Sequence, residues 1–197
     1  MSNILIRLYN QLKRIARNTN AVDTKRFKNV VLYPPFNIVN SSINEFTYIS
    51  HNSIVHSSSI GKYCSIGPNC VIGYGDHPTN FKSTSPIFYH TGKIFEFSYA
   101  DTDLFNHSKK IIIGNDVWIG ANVVIRNGIT IGDGVIIGAG SVVVANLKPF
   151  GIYAGVPAKL IRMRFENEKV NNILSDPWWN WSREKIVDNL KDFQYPL

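Results

Sequence analysis

Of the five histidines in the sequence, His77 has the setting best suited to chemistry. It lies in residues 74–86, at the start of a long stretch that interrupts an otherwise repetitive chain. A histidine side chain has an ordinary pKa of about 6.5, so near pH 7 it is mostly neutral and can remove a proton from an attacking hydroxyl group. His77 is therefore a candidate for proton transfer, and Asp76 and a loop carbonyl are the two groups that would orient its ring.

The other candidate groups have simpler interpretations. His51 and His56 fall inside repeats, and His90 and His107 come later in the interrupting stretch. We assign none of them a catalytic role. No serine or cysteine lies in a nucleophile setting such as G-x-S-x-G, so the sequence does not indicate a covalent intermediate. Three aromatic residues of the interrupting stretch are Tyr74, Tyr89 and Phe95. They either stack on a sugar or form a small core within the stretch, and the second interpretation is the simpler one.

The composition is that of one domain with small terminal appendages. The chain has 197 residues and a formal net charge of +7, which favours an anionic partner such as a phosphorylated cofactor, a nucleic acid or a membrane surface. No apolar run is long enough to cross a bilayer, and no secretory signal is recognisable, so we expect a cytoplasmic protein.

Cys64 and Cys70 lack the number and spacing of a zinc site or disulfide framework, and we expect both to be buried.

The first 18 residues have the pattern of a basic amphipathic helix. Four apolar residues at helical spacing are surrounded by lysine and arginine; they are Ile4, Leu8, Leu12 and Ile15. Such a helix either packs on the protein or on a neighbouring subunit, which is the simpler interpretation, or contacts an anionic membrane at its inner face.

A six-residue repeat organises the rest of the chain. From Ile113, successive blocks read IGNDVW, IGANVV, IRNGIT, IGDGVI, IGAGSV and VVANLK, and a second tract upstream reads IVHSSS, IGKYCS and IGPNCV from Ile54. If each block is a short strand with a corner, three blocks close a triangular coil, and coils stack at about 4.8 Å. The spacing then predicts three stacked pairs: Ile113 over Ile131, Ile119 over Ile137, and Ile125 over Val143. We expect the fifth residues of the blocks to fill the interior: Val117, Val123, Ile129, Val135, Ser141 and Leu147.

The pattern I-G-x-x-[small]-x resembles the hexapeptide-repeat transferases, whose fold is a left-handed parallel β-helix. The segment G-x-H-P-T-x-F-x-S-T-x-P at residues 75–86 is similar to the xenobiotic acetyltransferase branch, particularly its capsular polysaccharide O-acetyltransferases. This resemblance implies that His77 is the base for direct acetyl transfer from acetyl-CoA. It also implies a homotrimer, with active sites between subunits and no nucleic acid partner.

Two further segments resemble family signatures for acetyl-CoA: residues 116–121, DVWIGA, and residues 151–159, GIYAGVPAK. The resemblance places Trp118 at the acetyl or acceptor end, Ala121 and Ala139 along the pantetheine arm, and Lys159 and Arg162 at the phosphates. Small residues allow close approach to the backbone, and basic side chains form charge-assisted hydrogen bonds with phosphate. Ala145 is also assigned to this site, although Val144-Ala145 stands where a related enzyme has Thr-Lys, so that one side-chain contact is expected to be missing.

The acceptor is less well defined. We expect a saccharide of capsule, lipopolysaccharide or nucleotide-sugar type, and inactivation of a streptogramin or chloramphenicol-type antibiotic is the alternative. A zinc carbonic anhydrase on the same fold would use the H-x4-H pair at His51 and His56. It normally needs a histidine before that pair, and none precedes His51. A scaffold without catalysis is the remaining alternative, and we predict no metal site.

The predicted fold class is an all-β core in the form of a triangular left-handed parallel β-helix, with an N-terminal helix, an extended active-site loop and C-terminal helices. We expect an N-terminal helix and lead-in over 1–42, the β-helix over 43–163 with the loop inserted at 74–112, and a helical tail over 164–197. Within the tail, residues 166–175 and 182–193 are predicted helices. The three tryptophans at 178, 179 and 181 are expected to pack the tail onto the solenoid.

Overall fold

The computed structural model describes residues 19–92 and 94–195, and it forms a parallel β-helix of three sheets. The helix predicted over residues 1–18 lies outside the described residues. Within them, no helix is long and apolar enough to cross a membrane.

Each sheet is a stack of very short strands. Sheet A contains β1 (Thr19–Val22), β4 (Phe36–Val39), β7 (Ser53–His56), β10 (Val71–Ile72), β13 (Val124–Ile125) and β16 (Val142–Val143). Sheet B contains β2 (Lys25–Arg26), β5 (Ser42–Ile43), β8 (Ser58–Ile60), β11 (Ile111–Ile113) and β14 (Thr130–Ile131). Sheet C contains β3 (Val31–Leu32), β6 (Tyr48–Ile49), β9 (Ser65–Ile66), β12 (Trp118–Ile119), β15 (Ile136–Ile137), β17 (Gly151–Ala154) and the antiparallel β18 (Lys159–Met163).

The predicted stacking after the loop is confirmed. All three predicted pairs are neighbours in register: Ile113 with Ile131, Ile119 with Ile137, and Ile125 with Val143. These side chains are at most 2% exposed, and the six predicted fifth-position residues are also buried. The interior is therefore a set of apolar ladders, in which each residue packs on its counterpart one coil away.

The coils before the loop are one residue shorter. Asn37 of β4 pairs with Ile54 of β7, 17 residues further along, whereas Ile112 of β11 pairs with Thr130, 18 residues further along. The difference lies in the corner between sheets A and B, where Asn40 and Ser57 take left-handed backbone angles in a tight turn. Because this corner is shorter, the inward residue of β7 is Val55 rather than Ile54, which opens a block of the sequence repeat.

The solenoid starts earlier than the sequence indicated. Strands β1 to β3 already form a coil that pairs with the next one, so in the part of the chain that the structure describes the β-helix is present from Thr19 and does not start at residue 43. The early repeats carry asparagine, serine and threonine in place of the Ile-Gly marker, which is why the pattern was too weak there. The loop also ends earlier than predicted, because β11 begins at Ile111 and resumes sheet B beside β8.

Small polar side chains help to join the upstream coils. Thr47 donates a hydrogen bond to the Gly61 carbonyl and accepts one from the Cys64 backbone N–H. The two cysteines are fully buried, as predicted, and their thiols contact the carbonyls of Gly114 and Gly120 in the coil above. Buried hydroxyls and thiols are therefore paired with backbone groups rather than left unsatisfied.

The C-terminal tail contains α1 (Asn167–Ser175), α2 (Arg183–Asp188) and α3 (Lys191–Gln194). The first agrees closely with the predicted helix, and the second prediction is interrupted between α2 and α3. A short 3-10 helix, Trp178–Asn180, carries Trp179, which is 5% exposed and packs near Phe150. Trp178 packs against Tyr63 of the solenoid, so the anchoring role is confirmed for Trp178 and Trp179, whereas Trp181 packs on Phe193 within the tail.

Candidate active site

The inserted loop leaves the β-helix at the corner between sheets A and B. It starts after β10 and returns at β11, and Gly73 at its first position has φ +73°. A side chain on Gly73 would meet the His56 carbonyl at 2.6 Å, so glycine is required where the chain turns away from the coil. This corner places the start of the loop, and His77 within it, outside the solenoid.

His77 is exposed, and its ring is held through one nitrogen. The Nδ1 atom lies 2.8 Å from the Thr84 carbonyl oxygen and 2.8 Å from the Tyr89 hydroxyl oxygen. A carbonyl oxygen can only accept a hydrogen bond, so the contact with Thr84 assigns the proton to Nδ1. The Nε2 atom then carries the free lone pair that a general base needs.

The loop has its own aromatic core, as the simpler interpretation of its aromatic residues predicted. The ring of Tyr89 is 2% exposed and packs edge to face with those of Phe81 and Phe105. Burial raises the pKa of Tyr89 and keeps its hydroxyl neutral. In contrast, Tyr74 and Phe95 are exposed, at 68% and 48%.

Of the two orienting groups left open by the sequence, the loop carbonyl is the one in contact with the ring. The Asp76 backbone N–H donates to the His107 carbonyl, which closes the base of the loop. Among the residues that the structure describes, no hydrogen bond joins the Asp76 carboxylate to His77. Thr84 was missed because a backbone acceptor has no side-chain signature in a sequence.

The other loop histidines form a separate cluster. His90 pairs with Asp103 at 2.9 Å, and the same carboxylate accepts hydrogen bonds from Thr91. These bonds lower the pKa of Asp103, with the Thr91 backbone bond as the first cause. The His107 ring packs against that of His90. This cluster joins residues 90–91 of the loop to residues 103–107.

The predicted pantetheine track forms one edge of the solenoid, at the corner between sheets C and A. Ala121 and Ala139 follow β12 and β15, and the Ala121 carbonyl accepts a hydrogen bond from Gly140. The hairpin between β17 and β18 continues this edge and ends at Lys159, which pairs with Ala154. A Cβ on residue 120 would lie 2.6 Å from the Ala139 backbone nitrogen, so glycine is required at this position for the coils to stack so closely.

Trp118 and Arg162 lie in one row on the outer face of sheet C. Trp118 pairs with Ile136, Ile136 with Ile152, and Ile152 with Arg162. Trp118 is 55% exposed, Arg162 at the other end of the row is also exposed, and the exposed Lys159 lies nearby on the same strand, β18. The residues assigned from the sequence to the acetyl end and to the phosphates of acetyl-CoA thus lie at opposite ends of sheet C, with the small residues along the adjacent edge.

Ala145 lies apart from this edge. It follows β16 and is exposed at the corner between sheets A and B. The loop leaves the β-helix at the same corner, in a different coil. His77 also extends from that corner, so within one chain sheet A separates the proposed base from Ala121 and Ala139. The described residues contain no cluster of three or more histidine, cysteine or acidic side chains able to hold a metal ion.

Comparison with known proteins decides the family. A family model described as bacterial transferase hexapeptide (six repeats) matches residues 110–145. A probable macrolide acetyltransferase of Lysinibacillus sphaericus is 42% identical over 134 residues, covering 67% of this chain and 74% of that protein. The chain belongs to the hexapeptide-repeat acetyltransferases. Within them it falls in the xenobiotic acetyltransferase branch, which confirms the predicted resemblance.

A second relative and two solved structures extend this result. A chloramphenicol acetyltransferase of Klebsiella aerogenes is 41% identical, but the chain spans only 61% of its length. A Vibrio cholerae hexapeptide-repeat acetyltransferase, solved with acetyl-CoA, has a TM-score of 0.60 and 25% identity, with 79% of each chain covered. A galactoside acetyltransferase solved with coenzyme A has a TM-score of 0.56 and 29% identity, covering 75% of this chain and 68% of its own. The left-handed β-helix fold is confirmed, and family membership supports acetyl-CoA-dependent acetyl transfer.

Proposed function

We propose that this chain is an O-acetyltransferase that moves the acetyl group of acetyl-CoA directly to a hydroxyl of a saccharide. The observation that carries the proposal is the His77 ring, whose Nδ1 atom is engaged with the Thr84 carbonyl, while Nε2 forms no hydrogen bond with any residue that the structure describes. A galactoside acetyltransferase of the same fold supports a saccharide acceptor.

In the proposed reaction, Nε2 of His77 takes the proton of the acceptor hydroxyl while the hydroxyl oxygen attacks the thioester carbonyl carbon. The carbon–sulfur bond then breaks, and His77 returns the proton to the departing thiolate of coenzyme A. The Thr84 carbonyl stabilises the imidazolium that exists between these two steps. The products are an acetyl ester and the free thiol, so no acyl-enzyme is formed.

The active site is proposed to lie between subunits of a homotrimer. Within one chain, His77 and the edge formed by Ala121 and Ala139 belong to different corners of the triangle. Side-by-side packing of solenoids would bring the loop corner of one subunit to the acetyl-CoA edge of the next. The proposed place of action is the cytoplasm, near the inner face of the membrane when the acceptor is lipid-linked.

The second candidate function is acetylation of an antibiotic hydroxyl. It is favoured by the macrolide and chloramphenicol acetyltransferases, which are 42% and 41% identical to this chain. The same base, His77, and the same acetyl-CoA edge, formed by Ala121 and Ala139, would serve both acceptors, because each proposed reaction transfers acetyl to a hydroxyl group.

An acceptor panel tests these proposals. Thiol release from acetyl-CoA is measured with mono- and oligosaccharides, nucleotide-sugars, chloramphenicol, a macrolide and a streptogramin. We expect the fastest turnover with a saccharide, and a product that releases its acetyl group with hydroxylamine, as an ester does and an amide does not. Faster turnover with an antibiotic would favour the second candidate.

The His77→Ala variant tests the mechanism in the same assay. We expect turnover to fall about hundredfold, the usual effect of losing a general base. His51→Ala is the matched control, because His51 is exposed on a repeat and should leave turnover unchanged. Loss of less than about threefold in His77→Ala would show that His77 is not the base.

A further inference from the structure

Tyr89 is the second group in contact with the His77 ring, and nothing in the sequence had singled it out for this role. Its hydroxyl oxygen lies 2.8 Å from Nδ1, at the same distance as the Thr84 carbonyl oxygen. The two rings meet edge to face, with centroids 6.4 Å apart.

We propose that Tyr89 is a positioning residue for His77, and that its hydroxyl oxygen shares the hydrogen bond from Nδ1–H with the Thr84 carbonyl. This inference rests on the proposed function, in which His77 is the base. The direction follows from the partners: Nδ1 carries one hydrogen, the Thr84 carbonyl can only accept it, and a hydroxyl can donate or accept. With Nδ1 as the donor, the hydroxyl oxygen is the second acceptor.

The tyrosine is well placed for this task because both its backbone and its ring are held by contacts within the loop. Its backbone N–H donates to the Pro86 carbonyl, and its own carbonyl accepts a hydrogen bond from Leu104. It therefore joins the two arms of the loop at one point. Its side chain is buried between the rings of Phe81 and Phe105, so the hydroxyl has little freedom to leave the histidine.

The arrangement has two consequences for catalysis. Two acceptors on Nδ1 define the plane and direction of the ring, and thereby the direction of the Nε2 lone pair. They also stabilise the imidazolium relative to neutral imidazole, since hydrogen bonds from a charged donor are the stronger ones. Within residues 74–86, the charged residues besides His77 are Asp76, which precedes the histidine, and Lys82, which is exposed.

The test uses Tyr89→Phe, which keeps the buried ring and removes only the oxygen. Histidine labelled with nitrogen-15 reports the tautomer of His77 and its Nδ1–H resonance by NMR in the ligand-free protein, and kinetics report kcat and KM. We expect the Nδ1–H tautomer in the wild type. In the variant, we expect the Nδ1–H resonance to move upfield because one of its two acceptors is lost, and kcat to fall about fivefold with an unchanged KM for acetyl-CoA.

The matched control is Tyr99→Phe in the same loop, because Tyr99 is 65% exposed and packs on Phe88 and Phe97 rather than on His77. It should leave the tautomer and the Nδ1–H resonance unchanged. An unchanged Nδ1–H resonance in Tyr89→Phe would overturn the inference, and the absence of the Nδ1–H tautomer from the wild type would show that Tyr89 donates to Nδ1 instead. An active His77→Ala variant would overturn the proposed function while leaving the NMR result on Tyr89 intact.

Discussion

The coils that follow the loop and the loop itself are stabilised in different ways. In the coils, each of the isoleucines Ile113, Ile119 and Ile125 packs on an isoleucine or valine one coil away, and backbone hydrogen bonds repeat from coil to coil. In the loop, a short 3-10 helix, Pro86–Phe88, and one aromatic cluster replace this regularity. The repetitive part can provide a straight edge for a long cofactor, whereas the irregular part can place one ring in one orientation.

A substitution in the solenoid core should have the largest effect. Ile119→Ala removes a fully buried side chain from a ladder in the middle of sheet C. We expect the free energy of unfolding to fall by about 3 kcal/mol, from lost apolar burial and the cavity left behind. Urea denaturation measures this loss of unfolding free energy. The control is Ile112→Ala, at an outward position that is 49% exposed, where we expect a loss of about 0.5 kcal/mol. Equal costs at the two positions would contradict the assigned inward and outward faces.

A substitution in the loop core should affect catalysis more than global stability. Phe105→Ala removes a ring that packs on Tyr89 and Phe81. We expect kcat to fall about tenfold, equivalent to about 1.4 kcal/mol, because an aromatic contact of this kind contributes about 1 kcal/mol and the histidine support is loosened. The urea midpoint of the solenoid should hardly move. Phe97→Ala, at an exposed position of the same loop, should cause a smaller loss of kcat.

A substitution among the basic residues proposed to bind the phosphates of acetyl-CoA should have a smaller effect on the KM, and this effect should depend on salt. Lys159→Ala removes an exposed cation beside the proposed phosphate position. We expect the KM for acetyl-CoA to rise about fivefold, or about 1 kcal/mol, at low salt, and less at high salt because exposed charges are screened. Lys191→Ala in the tail is the control for removing one positive charge. A rise in the KM for the acceptor alone would place Lys159 elsewhere in the site.

The interior should also protect its thiols. Burial raises the pKa of Cys64 to about 12, so the folded protein holds no reactive thiolate there at pH 8.5. We expect almost no labelling of Cys64 by a thiol reagent until the protein is unfolded. Because the unfolded thiol ionises near pH 8.5 to 9, this group makes stability fall as the pH rises from about 9 to about 12. Rapid labelling of native protein would show that the upstream coils open readily.

Prediction from the sequence succeeded where residues repeat at a constant interval. The spacing of Ile113, Ile119 and Ile125 gave the register correctly, because side chains one full coil apart must stack. It was less successful before the loop, where the corner at Asn40 or Ser57 shortens the coil by one residue. Polar residues mark those corners and leave no apolar pattern to follow.

The sequence by itself determined the solenoid, the interruption and the place of His77 at the start of the loop, since each is recorded in residue type and interval along the chain. Only the tertiary structure decided what holds that histidine. The Thr84 carbonyl has no side-chain identity, and the Tyr89 hydroxyl reaches Nδ1 only after the aromatic core has folded the loop back on itself. Contacts between residues at irregular separations depend on the path of the chain, and no periodicity encodes that path.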